Sequence, residues 1–285
     1  MFDGNAYAKD TRKDFMNWSM WAPGAFDYAA DKLGLTYGAT AELNQKQWAL
    51  RGGYFLIAGG IEFEQFRHAG FPTRQLCGRT GDALFGCSRS RANCAPSAGS
   101  TARTSGSYRE TLNNPALNLD IAQTRTGRIK YGYVVSLEQA LTDDIGLFGR
   151  WSWNDGKTEI MAFTDIDASA CRWAPRSRAS KWGRPDDVIG IGGAINALSH
   201  DHRDFIAAGG LGALIGDGAL NYRQERILET YYAYALTKQF TLTGGLPVHH
   251  QSRLQCRPRP GPCLLGEAAR GILIPMPYFV VKRAL

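Results

Sequence analysis

The sequence predicts an all-β protein whose antiparallel strands form a transmembrane β-barrel. Segments of about ten residues alternate with turn signals, and ten residues is the length of a tilted membrane strand. Aromatic and apolar side chains occupy one face of these segments, whereas Gly, Ser, Arg and Glu occupy the other. Glycine (33 residues), tryptophan (7) and tyrosine (12) are abundant among the 285 residues, which suits a membrane or surface β protein.

Two kinds of connection separate the predicted strands. The strings TDD (142–144) and TK (237–238) predict tight turns, whereas 106–127 and 198–225 predict long loops that fold over or into a pore. The first thirty residues are less regular and leave room for a short helix. The predicted strands are, in chain order, 35–43, 47–58, 128–141, 145–154, 157–163, 187–198, 226–237 and 239–245.

The alternation assigns each side chain to a face of its strand. Within 128–141, Tyr131 and Leu137 point to one side, while Lys130 and Glu138 point to the other. A soluble sandwich has the same period, but its hidden face would carry more Val and Ile and fewer Tyr and Trp. The aromatic residues near strand ends predict an interfacial girdle, and these are Tyr54, Trp153 and Tyr234.

The polar face supplies the candidate functional residues. An ionisable residue on the wet face of a barrel either selects solutes by hydrogen bonding and field or is ordinary solvated charge, and both interpretations stay open. No single residue stands out among them. The lumen-facing candidates are Arg51, Lys130, Glu138, Arg150, Glu229 and Tyr231.

Three basic segments interrupt an otherwise acidic chain: 72–103, 170–180 and 246–285. Together they hold fourteen Lys or Arg residues, two acidic residues and all six cysteines. In a shifted reading frame each segment can encode a cysteine-free string with strand-like alternation, and the last string then ends in Phe. We therefore hypothesise that these segments are read out of frame, the alternative being three genuine loops.

Strings that suggest other chemistry are weak. The glycines of 190–198 resemble a dinucleotide turn but lack a βαβ context. The string HDHRD (200–204) has metal-binding residue types, yet a solvated turn is the better interpretation. Four residues of the last basic segment do not match the spacing of a zinc finger: His249, His250, Cys256 and Cys263. The sequence therefore predicts no enzyme, cofactor, metal site or nucleic-acid partner.

Targeting signals are not visible in the sequence. No run of about 18 apolar residues exists, which excludes a transmembrane helix but not membrane strands. The first fifteen residues lack the pattern of a signal peptide. The protein is therefore either cytoplasmic or a part of a longer chain.

Several long strings resemble the carbohydrate-selective porin family of the OprB type. They are NAYAKDTRKDFMNW (5–18), GAFDYAADKLGLTYGATAEL (24–43), 105–141, 180–218 and NYRQERILETYYAYALTKQFTLTGG (221–245). The resemblance implies a Gram-negative outer-membrane barrel of about sixteen strands. Mono- or oligosaccharides would diffuse through it passively, with outer-membrane lipid around it and loops narrowing the pore.

The resemblance also implies an incomplete barrel. Residues 1–245 would form roughly half to two-thirds of it, interrupted at 72–103 and 170–180 and followed by the suspected out-of-frame tail 246–285. Open edges leave backbone groups unsatisfied in lipid, so we expect no stable pore from this chain alone. Whether the protein is a monomer or a trimer stays open.

A second hypothesis belongs to a different functional class. The chain would be a soluble or surface-exposed β-rich binding protein whose cysteines are real and paired. Disulfides among Cys77, Cys87 and Cys94 would favour it over the porin.

Overall fold

The structure is a computed structural model that describes most of the central part of the chain. The described residues are 5, 7–8, 14–25, 38–44, 49–56, 74–80, 92–159, 166–212, 220–237, 240–250, 272–273 and 278–283. Among them, no helix is long and apolar enough to cross a membrane.

A single antiparallel sheet dominates the described residues. Each strand pairs with the next along the chain from β1 to β11, and β12 also pairs with β10. The strands are β1 (Gly38–Asn44), β2 (Ala49–Leu56), β3 (Arg74–Thr80), β4 (Ala92–Ser105), β5 (Thr126–Ala140), β6 (Ile145–Asn154), β7 (Ala168–Ala179), β8 (Arg184–Ala197), β9 (Glu225–Ala235), β10 (Phe240–His250), β11 (Ile272–Leu273) and β12 (Tyr278–Arg283). This meander confirms the predicted all-β antiparallel class.

Helices are few and short in the described residues. They are α1 (Trp18–Trp21), α2 (Tyr108–Asn113) and α3 (His200–Ala207), with 3-10 turns at Pro115–Leu117, Ile121–Thr124 and Ser180–Trp182. Side-chain oxygens of Asn17, Ser107 and Ser199 cap the three α-helices by accepting a backbone N–H of the first turn.

Short turns gather at one end of the sheet and long connections at the other. The short turns after β5 and β9 each rely on a threonine: the hydroxyl of Thr142 accepts the amide of Ile145 at 2.9 Å, and that of Thr237 accepts Phe240 at 3.1 Å. We call the end of the sheet that carries these turns the short-turn end. The opposite, long-loop end carries α2 and α3, because the connections after β4, β6 and β8 emerge there.

The two faces of the sheet differ in exposure as the alternation predicted. In β6 the even-numbered residues are buried and the odd-numbered ones are not, so that Arg150 is 3% exposed and Trp151 is 46% exposed. We call the face with Arg150 the inner face and the face with Trp151 the outer face. The outer face carries exposed apolar side chains: Ile129, Tyr131, Leu137, Trp151, Ile191, Leu228 and Tyr234.

A stretch of the N-terminal region lies on the inner face. Residues 14–25, the inserted segment, contribute Phe15 and Met20 to a buried cluster with Phe148, Ile227 and Tyr231. Phe15 packs edge-on against Tyr231, with ring centroids 5.0 Å apart. The inserted segment therefore covers apolar inner-face residues that would otherwise meet solvent.

Three expectations need correction or qualification. The predicted strand 157–163 does not form at residues 157–159, where Thr158 makes one isolated bridge to Ser107; residues 160–163 lie outside the described residues. The string HDHRD is not a solvated turn but the start of α3, with His202 fully buried. The basic segments 72–103 and 170–180 contain the paired strands β3, β4 and β7. Their suspected frame shift stays a prediction.

Candidate pore lumen

The register places all six predicted lumen residues on the inner face. Residues paired across neighbouring antiparallel strands share a face. The pairs Arg51↔Arg79, Arg79↔Ser97 and Ser97↔Val134 carry the inner face from β2 to β5. Further pairs continue it to β9: Ser136↔Arg150, Arg150↔Cys171, Cys171↔Ala194, Gly192↔Glu229 and Gly190↔Tyr231. Lys130 and Glu138 lie on β5 at the same parity as Val134. Their role in solute selection stays a prediction.

Glu229 holds the start of the inserted segment. Its side chain is fully buried on β9, and its two carboxylate oxygens accept the backbone amides of Met16 and Asn17 at 2.6 and 2.9 Å. Hydrogen bonds to a charged group contribute about 1.5–3 kcal/mol each. The carboxylate is therefore satisfied by the protein backbone rather than by solvent.

Arg150, on β6, holds the middle of the same segment. The guanidinium lies on β6 and donates to the backbone carbonyl of Met20 and, at 3.3 Å, to that of Ala8. Ala8 precedes the inserted segment. Since both acceptors are main-chain atoms, these two contacts depend on the path of the chain at residues 8 and 20 and not on the side chains there.

Neutral polar residues complete the attachment. The hydroxyl of Ser152 accepts the amide of Ala25 at 2.9 Å, and the amide nitrogen of Asn154 donates to the carbonyl of Ala25 at 2.9 Å. On β8 the side chain of Asn196 donates to the hydroxyl of Ser19 at 2.9 Å. Three strands, β6, β8 and β9, thus hold the segment along its length.

Two glycines make room for tyrosine rings on this face. A Cβ atom on Gly146 would lie 2.1 Å from the ring of Tyr7, and one on Gly190 would lie 2.2 Å from the ring of Tyr231. Such distances are far below van der Waals contact, so both positions need a residue without a side chain.

The remaining candidates lie toward the two ends of the sheet. Arg51 forms an ion pair with Glu42 on β1, Nε to Oε2 at 3.1 Å, and both side chains are part-exposed. Lys130 is buried near the long-loop end and donates to the carbonyl of Thr158 at 3.2 Å. Glu138 is half-buried near the short-turn end.

Helices α2 and α3 form a cap over the long-loop end. His202 of α3 lies between the ring of Tyr108, stacked with centroids 4.3 Å apart, and the carboxylate of Asp167, whose Oδ2 lies 3.0 Å from Nδ1. Burial alone would raise the pKa of Asp167, but its hydrogen bond and charge interaction with His202 outweigh burial and lower that pKa. The same Oδ2 accepts the amide of Ser199 at 2.9 Å, so Asp167 fixes the start of α3 to the sheet.

Arginine–carboxylate pairs join the parts of the cap. Arg109 of α2 bonds to Asp201 and Asp204 of α3. Arg125 makes a bidentate pair with Glu159, at 2.8 and 3.0 Å, and this hydrogen bond raises the pKa of Arg125. The cap also packs on the inserted segment, because Ala25 and Trp18 belong to its apolar cluster.

Burial affects one further carboxyl group at this end. Asp155 follows β6 directly, and desolvation raises its pKa although Lys130 and Lys157 oppose the shift. Among the described residues, no group of three or more His, Cys, Asp or Glu could hold a metal ion.

The attachment of residues 14–25 was missed by sequence reasoning. Arg150 and Glu229 were placed on the inner face, but nothing in the local pattern revealed that their partners are backbone atoms more than one hundred positions away. The one available signal was the run of successive inward polar residues in β6, Arg150, Ser152 and Asn154, which is unusually rich in donors.

Comparison with known families agrees with this two-faced sheet. Residues 89–248, more than half of the chain, match the family described as carbohydrate-selective porin, OprB family. The chain belongs to this family. No curated protein matches the sequence.

A solved structure shares the fold. The high-pH structure of Pseudomonas putida OprB superimposes with a TM-score of 0.60 at 16% identity, covering 76% of this chain. The chain spans 54% of the length of that protein. This OprB-family chain therefore has a porin-like sheet, and its length corresponds to about half of the solved relative.

Proposed function

We propose that the sheet forms part of the wall of a water-filled outer-membrane channel through which carbohydrates and other small solutes diffuse passively. The observation that carries the proposal is the contrast between the faces. The outer face exposes Tyr131 to 52% and Leu228 to 50%, whereas the inner face carries Lys130, Arg150 and Glu229. Apolar side chains outside and polar ones inside are the pattern of a barrel in lipid.

The proposal gives the two ends of the sheet an orientation. Outer-membrane barrels have short periplasmic turns and longer extracellular loops. The cap of α2 and α3 then lies on the extracellular side, and the short turns after β5 and β9 lie in the periplasm. The inserted segment narrows the lumen between them, because it lies against the inner face.

Solute uptake tests the proposal. The full chain is refolded into liposomes, and swelling is measured in sugars of increasing size. We expect entry of monosaccharides and slower entry of larger oligosaccharides, because the inserted segment occupies part of the lumen. Insertion is checked separately by quenching of tryptophan fluorescence with lipid-borne quenchers, since Trp151 lies on the outer face.

The unpaired edge strands of an incomplete barrel predict instead that this chain alone admits no sugar. The pairing of β3 with β2 and of β4 with β5 supports a continuous wall in this part of the sheet. Inserted protein that admits no sugar would overturn the channel proposal for this chain.

The alternative is a β-rich binding protein stabilised by disulfides. Cys94 and Cys171, the two cysteines whose side chains the structure describes, are both free thiols. The free thiol of Cys94 gives no support to a disulfide at that position, and the channel is the better supported function.

A further inference from the structure

We infer that Arg150 and Glu229 are positioning residues that hold the inserted segment and thereby set the width of the channel, and that they do not contact the solute. The inference rests on the proposed function and changes the role expected for two inner-face charges. It is carried by the hydrogen bonds that the two side chains make to backbone atoms of Ala8, Met16, Asn17 and Met20.

Burial separates these two residues from a solute-selecting group. Arg150 is 3% exposed and Glu229 is 0% exposed, so a diffusing sugar does not reach either side chain while the segment is in place. Arg51 and Glu42, by contrast, keep 20% and 28% of their side chains exposed on the same face. Selectivity by charge belongs to such accessible residues, whereas the buried pair acts on the path of the chain.

The two contacts act at successive points of one segment. Glu229 accepts the amides that precede α1, and Arg150 donates to the carbonyl of Met20 within α1. A carboxylate thus meets two amides just before α1, and a guanidinium meets a carbonyl within it. Opposite charges on β9 and β6 therefore fix both the position and the direction of the segment across the intervening strands β7 and β8.

Neutral contacts alone do not give this orientation. Ser152, Asn154 and Asn196 hold Ala25 and Ser19, at the end and the middle of the segment. Glu229 is the residue shown to hold the amides of 16–17, so loss of its charge frees the start of the segment while the end stays attached. A segment attached at one end moves away from the wall and leaves a wider and less uniform passage.

The test compares two variants with matched controls in the refolded full chain. Arg150→Met and Glu229→Gln remove the charged contacts at similar side-chain length. Arg223→Met and Asp143→Asn remove exposed charges in connections outside the sheet. Hydrogen exchange of the amides in 14–25 and single-channel conductance are measured for each.

We expect exchange in 14–25 to accelerate about tenfold in either variant, as for loss of a hydrogen bond to a charged group, while β8 and β9 keep their protection. Conductance rises in both variants and the dependence of flux on sugar size weakens. Arg150→Lys keeps a donor, so its changes in exchange and conductance should be smaller than those of Arg150→Met. The two controls leave exchange and conductance unchanged.

A variant in the segment itself guards against misfolding of the wall. Asn17 has φ −67°, which proline adopts, so Asn17→Pro removes the amide that Glu229 accepts without altering the sheet. It also removes the side-chain cap of α1, and Asn17→Ala, which keeps the amide, controls for that loss. The double variant Asn17→Pro with Glu229→Gln should accelerate exchange by less than the combined effects of the two single variants, because both substitutions break the same hydrogen bond. Full additivity would contradict the assigned contact.

The outcomes separate this inference from the proposed function. Unchanged exchange in 14–25, with weaker sugar binding and unchanged conductance, would make Arg150 and Glu229 solute contacts and overturn the inference. If the wild-type protein admits no sugar, the proposed function fails. The exchange measurements still decide whether the two charges hold the segment.

Discussion

The carboxylate of Asp167 and the imidazole of His202 lie 3.0 Å apart, and neither side chain is more than 2% exposed. Asp167 directly precedes β7, and His202 belongs to α3, so this contact joins the cap to the end of the sheet. The cap in turn packs on Trp18 and Ala25 of the inserted segment. The pair therefore links the extracellular side of the proposed channel to its narrowed part.

The contribution of Asp167 to the stability of the cap should be lost only in strong acid. Because the folded-state pKa of Asp167 is lowered below 3.8, its contribution to stability is complete above that pH and is lost as the pH falls through the lower folded value. The contribution of Asp167 is the difference between the wild type and Asp167→Asn in the opening free energy of 200–207, measured by hydrogen exchange and corrected for the intrinsic rate. This difference should shrink only below about pH 4, and an increase of the difference on acidification below that pH would contradict the assignment.

Asp167→Asn should destabilise the protein at neutral pH. The substitution leaves the buried Nδ1 of His202 without its carboxylate partner, and an unsatisfied buried polar group costs about 1–3 kcal/mol. Urea unfolding of the refolded protein measures the change. Asp186→Asn, at an exposed position of β8, serves as the control and should stay within about 0.5 kcal/mol. Equal effects of the two variants would show that the buried pair contributes nothing specific.

Gly146→Ala should displace the ring of Tyr7 and destabilise the protein. The added Cβ would lie 2.1 Å from the tyrosine ring, so the ring must move, at a cost of about 1–3 kcal/mol. Gly149 on the same strand is the matched control, since its nearest neighbour would lie 3.8 Å away, an ordinary contact. The free energy of unfolding in urea and the near-ultraviolet circular dichroism should change in Gly146→Ala and remain unchanged in Gly149→Ala.

Leu137→Arg distinguishes the membrane wall from a soluble sheet. Leu137 is 48% exposed on the outer face, between the short turn at 141–144 and the aromatic cluster of Tyr131, Tyr133 and Trp153. In lipid the charge should cost about 2–4 kcal/mol, measured as lost refolding into liposomes.

Ile129→Arg is the matched comparison for Leu137→Arg. It lies beyond the aromatic cluster on the same face, toward the long-loop end, where an arginine in an interface costs about 0–1 kcal/mol. A soluble sheet would tolerate both substitutions within about 0.5 kcal/mol, and that outcome would favour the binding-protein hypothesis.

Local alternation was sufficient to predict most strands and their faces. Tyr131, Leu137 and Trp151 point outward and Lys130, Arg150 and Glu229 point inward as expected, because side chains on a strand alternate whatever the strand pairs with. The predicted bounds of β6, 145–154, coincide with those observed.

The basic segments were the part of the sheet that local pattern did not supply. No strands were assigned to 72–103 and 170–180, because these segments were hypothesised to be read out of frame; in the structure β4 and β7 pair with neighbours on both sides, and the frame-shift hypothesis stays a prediction. Backbone hydrogen bonding to two flanking strands overrides a weak side-chain preference. The string HDHRD failed for a similar reason, since burial of His202 depends on Tyr108 and Asp167, which are distant in sequence.

By itself the sequence determined the β class, the two faces of the strands and the family resemblance, because all three are recorded in residue types at short spacing. Only the tertiary structure decided what the inner-face charges do. Arg150 and Glu229 hydrogen-bond to backbone atoms of the inserted segment, and the residue type does not show which backbone amide or carbonyl a distant side chain will meet. Their meeting depends on the path of residues 14–25 across β6–β9, and that path is set by packing rather than by any local pattern.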